Sequence, residues 1–452
     1  MKETQERKFG LMMSIAMIIG VVIGSGIFFK ADDILVQTNG NVAMGCLALF
    51  IGAFGIIFGG ITMAEWAKIT DDAGGFISYA EKAFGKPFAF MLGWFQGMVY
   101  YPALAAVVAF VGSNYTISLF PRLTMDGYGV WLISVVYLTL IYIINIFSTR
   151  LSGVFQTSAM FIKLIPLFLI AILGMIFGNP EAVMEDTISI PTIMASSGAI
   201  VSVAFSYDGW SIAPSICHEI KNAKRNLPLA LIISPIIILV VYMGYFLGMS
   251  FLVGPEKIME SGDLAFSLAA HALFGIKGQK IMLLMVIISV LGTVNGLTLG
   301  ASRVPYSLAV RNEVPYSDKI SSIHPKYKTS IYSSIIGYIL TLFWLFIHFL
   351  SIYAPGFKKA RIDISSIPIV IMYIFYILLY IGIIIRSSKG LIKNKMIGFI
   401  CPILAILGAF TIIYGGLTGP NAITYLVFSF LIFISGVLFY RSVKNRNHIS
   451  GS

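Results

Sequence analysis

The chain is divided by polar punctuation into apolar blocks close to the length needed to cross a bilayer, about 20 residues at 1.5 Å of rise each. Twelve are read, near 10–30, 42–67, 86–120, 128–147, 154–177, 192–216, 228–253, 278–303, 330–350, 365–386, 396–416 and 420–441. Of 452 residues, 58% are hydrophobic and 11% charged, whereas soluble domains carry about 25% charged residues. A soluble fold of this composition would leave apolar surface bare. The expectation is an all-α membrane protein of twelve transmembrane helices, a single domain over 1–452. The first block has no convincing cleavage site and is kept as span 1 rather than a signal peptide. The stretch 71–85, with Asp71, Asp72, Gly74 and Gly75, is too short and polar to span, and Pro228 is read as the start of span 7.

The net charge of +11 raises nucleic acid as a partner, but the basic residues lie in short segments between blocks and form no aromatic-interleaved patch. Topology accounts for them. With the N-terminus inside, 22 of the 31 Lys and Arg residues fall in cytoplasmic segments, eight in outer ones, and Lys163 inside span 5. That is the asymmetry of the positive-inside rule, and a one-helix shift would reverse it. Both termini are expected in the cytoplasm of a cell-membrane protein. Cys46, Cys217 and Cys401 lie in or beside apolar blocks and make neither a disulfide framework nor a metal spacing.

Spans 1 and 6 are each interrupted, by Gly24-Ser25-Gly26 and by Tyr207-Asp208-Gly209 followed by Pro214. Interruptions at corresponding places in two halves point to an inverted repeat whose broken helices build a midplane site. The repeats would be 10–177 and 192–386, five spans each, with spans 11 and 12 (396–441) appended.

Two glycines around Ser25 let a helix unwind and expose amides that suit a carboxylate; the competing reading is close helix packing through small residues. In span 6, unwound carbonyls would suit an ammonium and Phe205 would cover the pocket. Asp208, a carboxylate at membrane depth, should face a cavity or a partner, binding an ammonium or capping the broken helix. Lys163, about ten residues into span 5, is too deep for easy snorkelling; it needs carbonyls near the span 1 break or a structural ion pair. Tyr242 is within reach of a midplane site or serves in packing, and Asn295 and Ser302 suit interhelical hydrogen bonds. Glu65 is placed at the cytoplasmic end of span 2. The five histidines are scattered, so neither a metal site nor a cofactor is expected, and no nucleophile, base and orienter assemble into an enzyme site.

Gly24-Ser25-Gly26-Ile27-Phe28, Phe205-Ser206-Tyr207-Asp208-Gly209-Trp210 and the stretch from Glu219 to Pro228 together resemble the amino acid/polyamine/organocation (APC) permeases. The L-type amino acid transporter branch, with its bacterial serine/threonine exchangers, is the most similar in pattern. The likeness runs from about residue 8 to 312 and takes in Ala64-Glu65, Gly74-Gly75 and Asn295-Gly296 through Ser302-Arg303. It implies a LeuT-like 5+5 inverted repeat with broken helices 1 and 6. It further implies a substrate carboxylate at Gly24, Ser25 and Gly26, and an ammonium received by carbonyls around Val22, Ile23, Phe205, Ser206 and Asp208. Lys163 falls where sodium-coupled relatives hold a sodium ion, which implies sodium-independent transport. Two departures lie in cytoplasmic loops: the Pro that follows the acidic residue of span 2 is absent, with Thr70 and Asp71 there, and Ala223 replaces the Pro of a Lys-Asn-Pro motif. The last third matches weakly, so span 10 contacts are not carried over. No extracellular Cys suits the disulfide that attaches a heavy-chain subunit in animal members, so none is expected.

The expected function is secondary active transport, an exchange of small neutral L-amino acids by alternating access. A proton-coupled symporter, and a cationic amino acid or polyamine permease using Asp208 as counter-ion, are the rivals within transport. A channel would show charged rings or a filter repeat.

Overall fold

Lipid offers a backbone no hydrogen bonds, so a chain of apolar blocks is driven to satisfy its amides within helices. The computed structural model describes residues 9–70, 74–181, 183, 197–215, 217–354, 364, 366–418 and 422–449. Among them the secondary structure is helical throughout, apart from an isolated parallel bridge between Phe9 and Ile220. The helices are α1 (Leu11–Val22), α2 (Ser25–Gln37), α3 (Val42–Ile69), α4 (Phe76–Phe84), α5 (Lys86–Leu119), α6 (Gly129–Phe147), α7 (Thr149–Phe177), α8 (Ser197–Tyr207), α9 (Ile212–Ser215), α10 (Ala223–Val253), α11 (Pro255–Ser261), α12 (Ala265–Val310), α13 (Ser317–Ile320), α14 (Ile331–Tyr353), α15 (Ser366–Ser388), α16 (Met396–Leu417) and α17 (Ala422–Ile449).

Among the described residues, eleven stretches are long and apolar enough to cross a membrane. The sixth expected span is missing from that set because its described part is cut into α8 and α9, each too short alone. Its start, 192–196, lies outside the described residues, as do Asp71 and Asp72. Span 1 is likewise cut, between α1 and α2. The 71–85 stretch contributes the nine-residue α4 and no crossing.

Two boundaries differ from the sequence reading. Span 7 begins at Ala223, behind Asn222 in the left-handed region (φ 47°), so Pro228 sits inside α10 and does not open it. Proline is tolerated there because the carbonyl it leaves without a donor belongs to the first turns, near the end of the helix. Span 8 is the second of two helices that meet at Gly275, where the backbone leaves the helix (φ 64°, ψ −171°), and it runs on to Val310, past its expected end at 303.

The spans start on polar caps where the sequence supplies them: Asn41 accepts from the Met44 amide at 2.8 Å and Ser148 from Leu151 at 3.1 Å. Within the bundle, the apolar window of α5 is 94% buried and that of α17 only 12%. The first is therefore a central column and the second stands at the periphery. Around α5 gather α12 and α14, while α10 packs on α3 and α7. This arrangement sets the breaks of spans 1 and 6 against each other, with α5, α7 and α12 behind them.

Candidate functional site

The backbone between α1 and α2 leaves the helix at Ile23 (ψ 88°) and Gly24 (φ −135°, ψ −132°). Gly24 has no side chain to cap α2, so the first amides of that helix are left to another acceptor. Gly26 is held so close to the other break that a Cβ there would lie 2.6 Å from Ser206 Cα. Any larger residue must push the two breaks apart. Span 6 unwinds at Gly209, whose φ of +104° lies where a side chain is strained, and a Cβ would also strike Val21.

A small cavity lies between the breaks, lined by Val21, Val22, Gly26, Phe205, Asp208 and Gly209, and closed by Leu104 and Val108 of α5 and Thr293 and Leu297 of α12. Its walls are apolar except for Asp208, Thr293 and exposed backbone. Among the described residues no group of three or more His, Cys, Asp or Glu could hold a metal ion.

The unwound carbonyls are met by side chains from three helices. Lys163 of α7, fully buried, donates from Nζ to the Gly20 carbonyl at 2.6 Å and to the Ile23 carbonyl. Thr293 Oγ1 lies 3.3 Å from both the Gly20 and Val21 carbonyls. Tyr242 Oη of α10 lies 2.8 Å from the Val22 carbonyl and 2.7 Å from that of Ser206, so one hydroxyl spans both breaks. The Phe205 carbonyl accepts from the Asp208 amide at 3.2 Å.

Asp208, 7% exposed, accepts from Tyr100 Oη at 2.8 and 2.7 Å to its two oxygens and from the Gly209 amide. Among the described residues, no ion pair includes it. Tyr100 is aimed by a π turn over Gln96–Tyr100. Pro102 has no N–H to offer the Met98 carbonyl, and Trp344 Nε1 donates to that carbonyl instead, at 2.7 Å.

The predicted residues thus divide. Val22, Ile23, Gly24, Gly26, Phe205, Ser206 and Asp208 converge at the breaks with Lys163 and Tyr242. Ser25 opens α2. Asn295 is turned to α7, donating to Gln156 Oε1 at 2.9 Å and accepting from Ser152 Oγ at 3.1 Å; it is an interhelical contact and not part of the cavity wall. Tyr100, Thr293, Leu104, Val108 and Leu297 were not singled out by the sequence reading. A signal existed for Tyr100, because a proline directly after Tyr100-Tyr101 inside an apolar block marks a disturbed helix.

Comparison with known proteins identifies the family. Residues 9–432 match the family described as amino acid permease. The serine/threonine exchanger SteT of Bacillus subtilis (strain 168) is 28% identical over 451 residues, 98% of each chain. The mouse b(0,+)-type amino acid transporter 1 is 25% identical over 96% of this chain and 87% of its own. The human large neutral amino acids transporter small subunit 2 is 28% identical over 75% of this chain and 64% of its own. An all-helical multi-pass membrane protein with this match is a transporter and not an enzyme: the chain belongs to the amino acid permease family of the APC superfamily, in its L-type amino acid transporter-like branch.

Proposed function

We propose that this amino acid permease is a sodium-independent exchanger of small neutral L-amino acids working by alternating access. The observation that carries the reading is the Lys163 ammonium, donated to the Gly20 and Ile23 carbonyls beside the broken span 1. A tethered cation at that place leaves no need for a dissociable one. The cavity supports a small ligand with a carboxylate on the first amides of α2 and an apolar or short side chain toward Leu104, Val108 and Leu297.

Charge balance supports neutral substrates. Among the described residues, the formal charges at the breaks are Lys163 and Asp208, which sum to zero. A zwitterion keeps that sum, whereas a cationic amino acid leaves one charge uncompensated in a low-dielectric site. The names of two relatives, a serine/threonine exchanger and a large neutral amino acids transporter small subunit, agree with this class. We also read 10–177 and 192–386 as inverted repeats, with 396–441 appended, on the strength of two breaks that face each other. The 22 to 8 distribution of Lys and Arg supports cytoplasmic termini. Cys217 and Cys401 are buried and Cys46 lies within α3, which supports function without a disulfide-linked heavy chain.

The deciding measurement is uptake into proteoliposomes of labelled serine, alanine, leucine and lysine at equal concentration. Serine or alanine should enter at least about tenfold faster than lysine, the discrimination expected from one unmatched charge. Faster lysine entry, lost selectively in Asp208→Asn, would assign Asp208 to a cationic side chain and replace this reading with the cationic one.

A further inference from the structure

We propose that the segment joining spans 10 and 11 is a binding site for an anionic phospholipid, its phosphate held by Arg386 and by the lysines that follow. Such a site is independent of the substrate that the protein carries.

Residues 386–395, Arg-Ser-Ser-Lys-Gly-Leu-Ile-Lys-Asn-Lys, carry four cations and no carboxylate. They lead from the end of α15 to the start of α16 through Gly390, φ 74°, so Arg386, Lys389, Lys393 and Lys395 are confined to one short stretch at the ends of two spans. The three lysines are exposed, and so are Leu391 and Met396. Lysines interleaved with exposed apolar side chains suit a membrane surface, where the apolar groups enter the acyl boundary and the ammonium groups meet the headgroups.

A basic loop alone would follow from the positive-inside asymmetry. Arg386 does not. Its guanidinium lies over the ring of the buried Trp66, 5.6 Å from the centroid, and its Nε is shut off from solvent with no hydrogen-bond partner among the described residues. Trp66 is itself fixed, donating from Nε1 to the Leu379 carbonyl at 3.0 Å. Among the described residues, the two other arginines that are not exposed, Arg303 and Arg311, are each met by a glutamate, Glu219 and Glu81. Arg386 has no such ion pair there. An indole that holds the guanidinium flat keeps its planar fork of donors in one orientation, and that fork matches the oxygens of a phosphate.

The apolar half of a lipid has its own surface. Beyond the lysines, Ile400, Ile403, Leu407 and Phe410 are exposed along α16 at the spacing that places them on one helix face. Acyl chains lying on that stripe bring the headgroup of the same molecule to residues 386–395, whereas a free phosphate would use the cations and not the stripe.

The test separates these ligands. The full chain in detergent micelles is titrated with dioleoylphosphatidylglycerol, dioleoylphosphatidylcholine or inorganic phosphate, and binding is read as the rise in melting temperature with concentration. Wild type should be half-stabilised by phosphatidylglycerol at a concentration at least about tenfold below that of phosphatidylcholine, and inorganic phosphate should give no rise. Arg386→Gln should raise the phosphatidylglycerol midpoint at least about tenfold. The triple variant Lys389→Gln, Lys393→Gln, Lys395→Gln changes exposed positions alone and should do the same, which keeps the test decisive where Arg386→Gln does not fold. A control that removes three exposed lysines elsewhere, Lys319→Gln, Lys326→Gln, Lys328→Gln, should leave the midpoint within about twofold of wild type. Equal stabilisation by the two lipids would overturn the proposal, as would a comparable rise with inorganic phosphate, which would make this a site for free anions. An equal loss in the control variant would also overturn it, by reducing the effect to diffuse surface charge.

Discussion

Lys163 meets the Gly20 and Ile23 carbonyls from the end of a covalent tether, so, unlike a bound ion, its amino group stays with the protein whenever those contacts open. Replacing it with methionine keeps most of the volume and removes the donor, leaving the Gly20 and Ile23 carbonyls without it. Each buried acceptor left short costs about 1–3 kcal/mol. Lys163→Met is therefore expected to cut initial uptake at least about tenfold while the protein still elutes as a folded species. Uptake near wild-type rate would sink the assignment. Lys163 was legible in the sequence because it is a lone cation inside an apolar block, and Gly24-Ser25-Gly26 because glycines are conspicuous there. Tyr242 and Tyr100 were not equally legible, being two of 22 tyrosines whose partners are backbone or carboxylate atoms of distant spans. Asn295 pointed to the correct helix, but the residue two positions before it, Thr293, faces the cavity. Gly26 makes a further demand: its contact with Ser206 means that even Gly26→Ala should impair transport, by spreading the breaks before any ligand is lost.

Apolar length and punctuation located the unbroken elements to within a few residues, because a helix in lipid needs little beyond an apolar block of sufficient length. The misplaced ends are those of spans 7 and 8, where tertiary contacts carry helix beyond the apolar pattern. One such end has a pH signature. Past the end of α12, Glu313 is buried, and its Oε2 has no hydrogen-bond partner among the described residues. Burial pushes its carboxyl up to about 7; Glu81 adds to the rise, while Arg311 and Lys86 oppose it. A carboxyl raised in the folded state contributes stability that is present below its ordinary value of 4.5 and is lost as pH rises through about 7. The melting temperature of the wild type, relative to Glu313→Gln, should therefore fall between about pH 5 and pH 8. Parallel melting curves across that range would show that Glu313 does not carry the effect.

At the scale of the whole molecule, a set of polar and backbone contacts ties separate elements together. Phe9 pairs with Ile220, the buried Arg303 Nε donates to Glu219 at 2.8 Å, and Arg311 joins Glu81 and Ser78 from the end of α12 to α4. The alternating access proposed above would have to separate some of these contacts, with a barrier set by whether a ligand is bound. In the proposed exchanger, a bound amino acid would bring a carboxylate to the α2 amides and an ammonium to the breaks that hold Asp208. Without it, Asp208 and the amides would have to pass through a low-dielectric intermediate uncompensated. The loaded carrier should consequently reorient faster than the empty one, which is the physical content of exchange. Vesicles preloaded with labelled serine should lose it slowly into buffer, and at least about tenfold faster when unlabelled serine is added outside, since even 1.4 kcal/mol of barrier difference is a factor of ten. Replacing sodium by choline or potassium on both sides should leave both rates unchanged, because Lys163 already supplies the cation. An absolute sodium requirement would overturn the tethered-cation reading. Accumulation driven by an imposed proton gradient, with no amino acid on the opposite side, would instead make the protein a proton-coupled symporter whose empty form reorients freely.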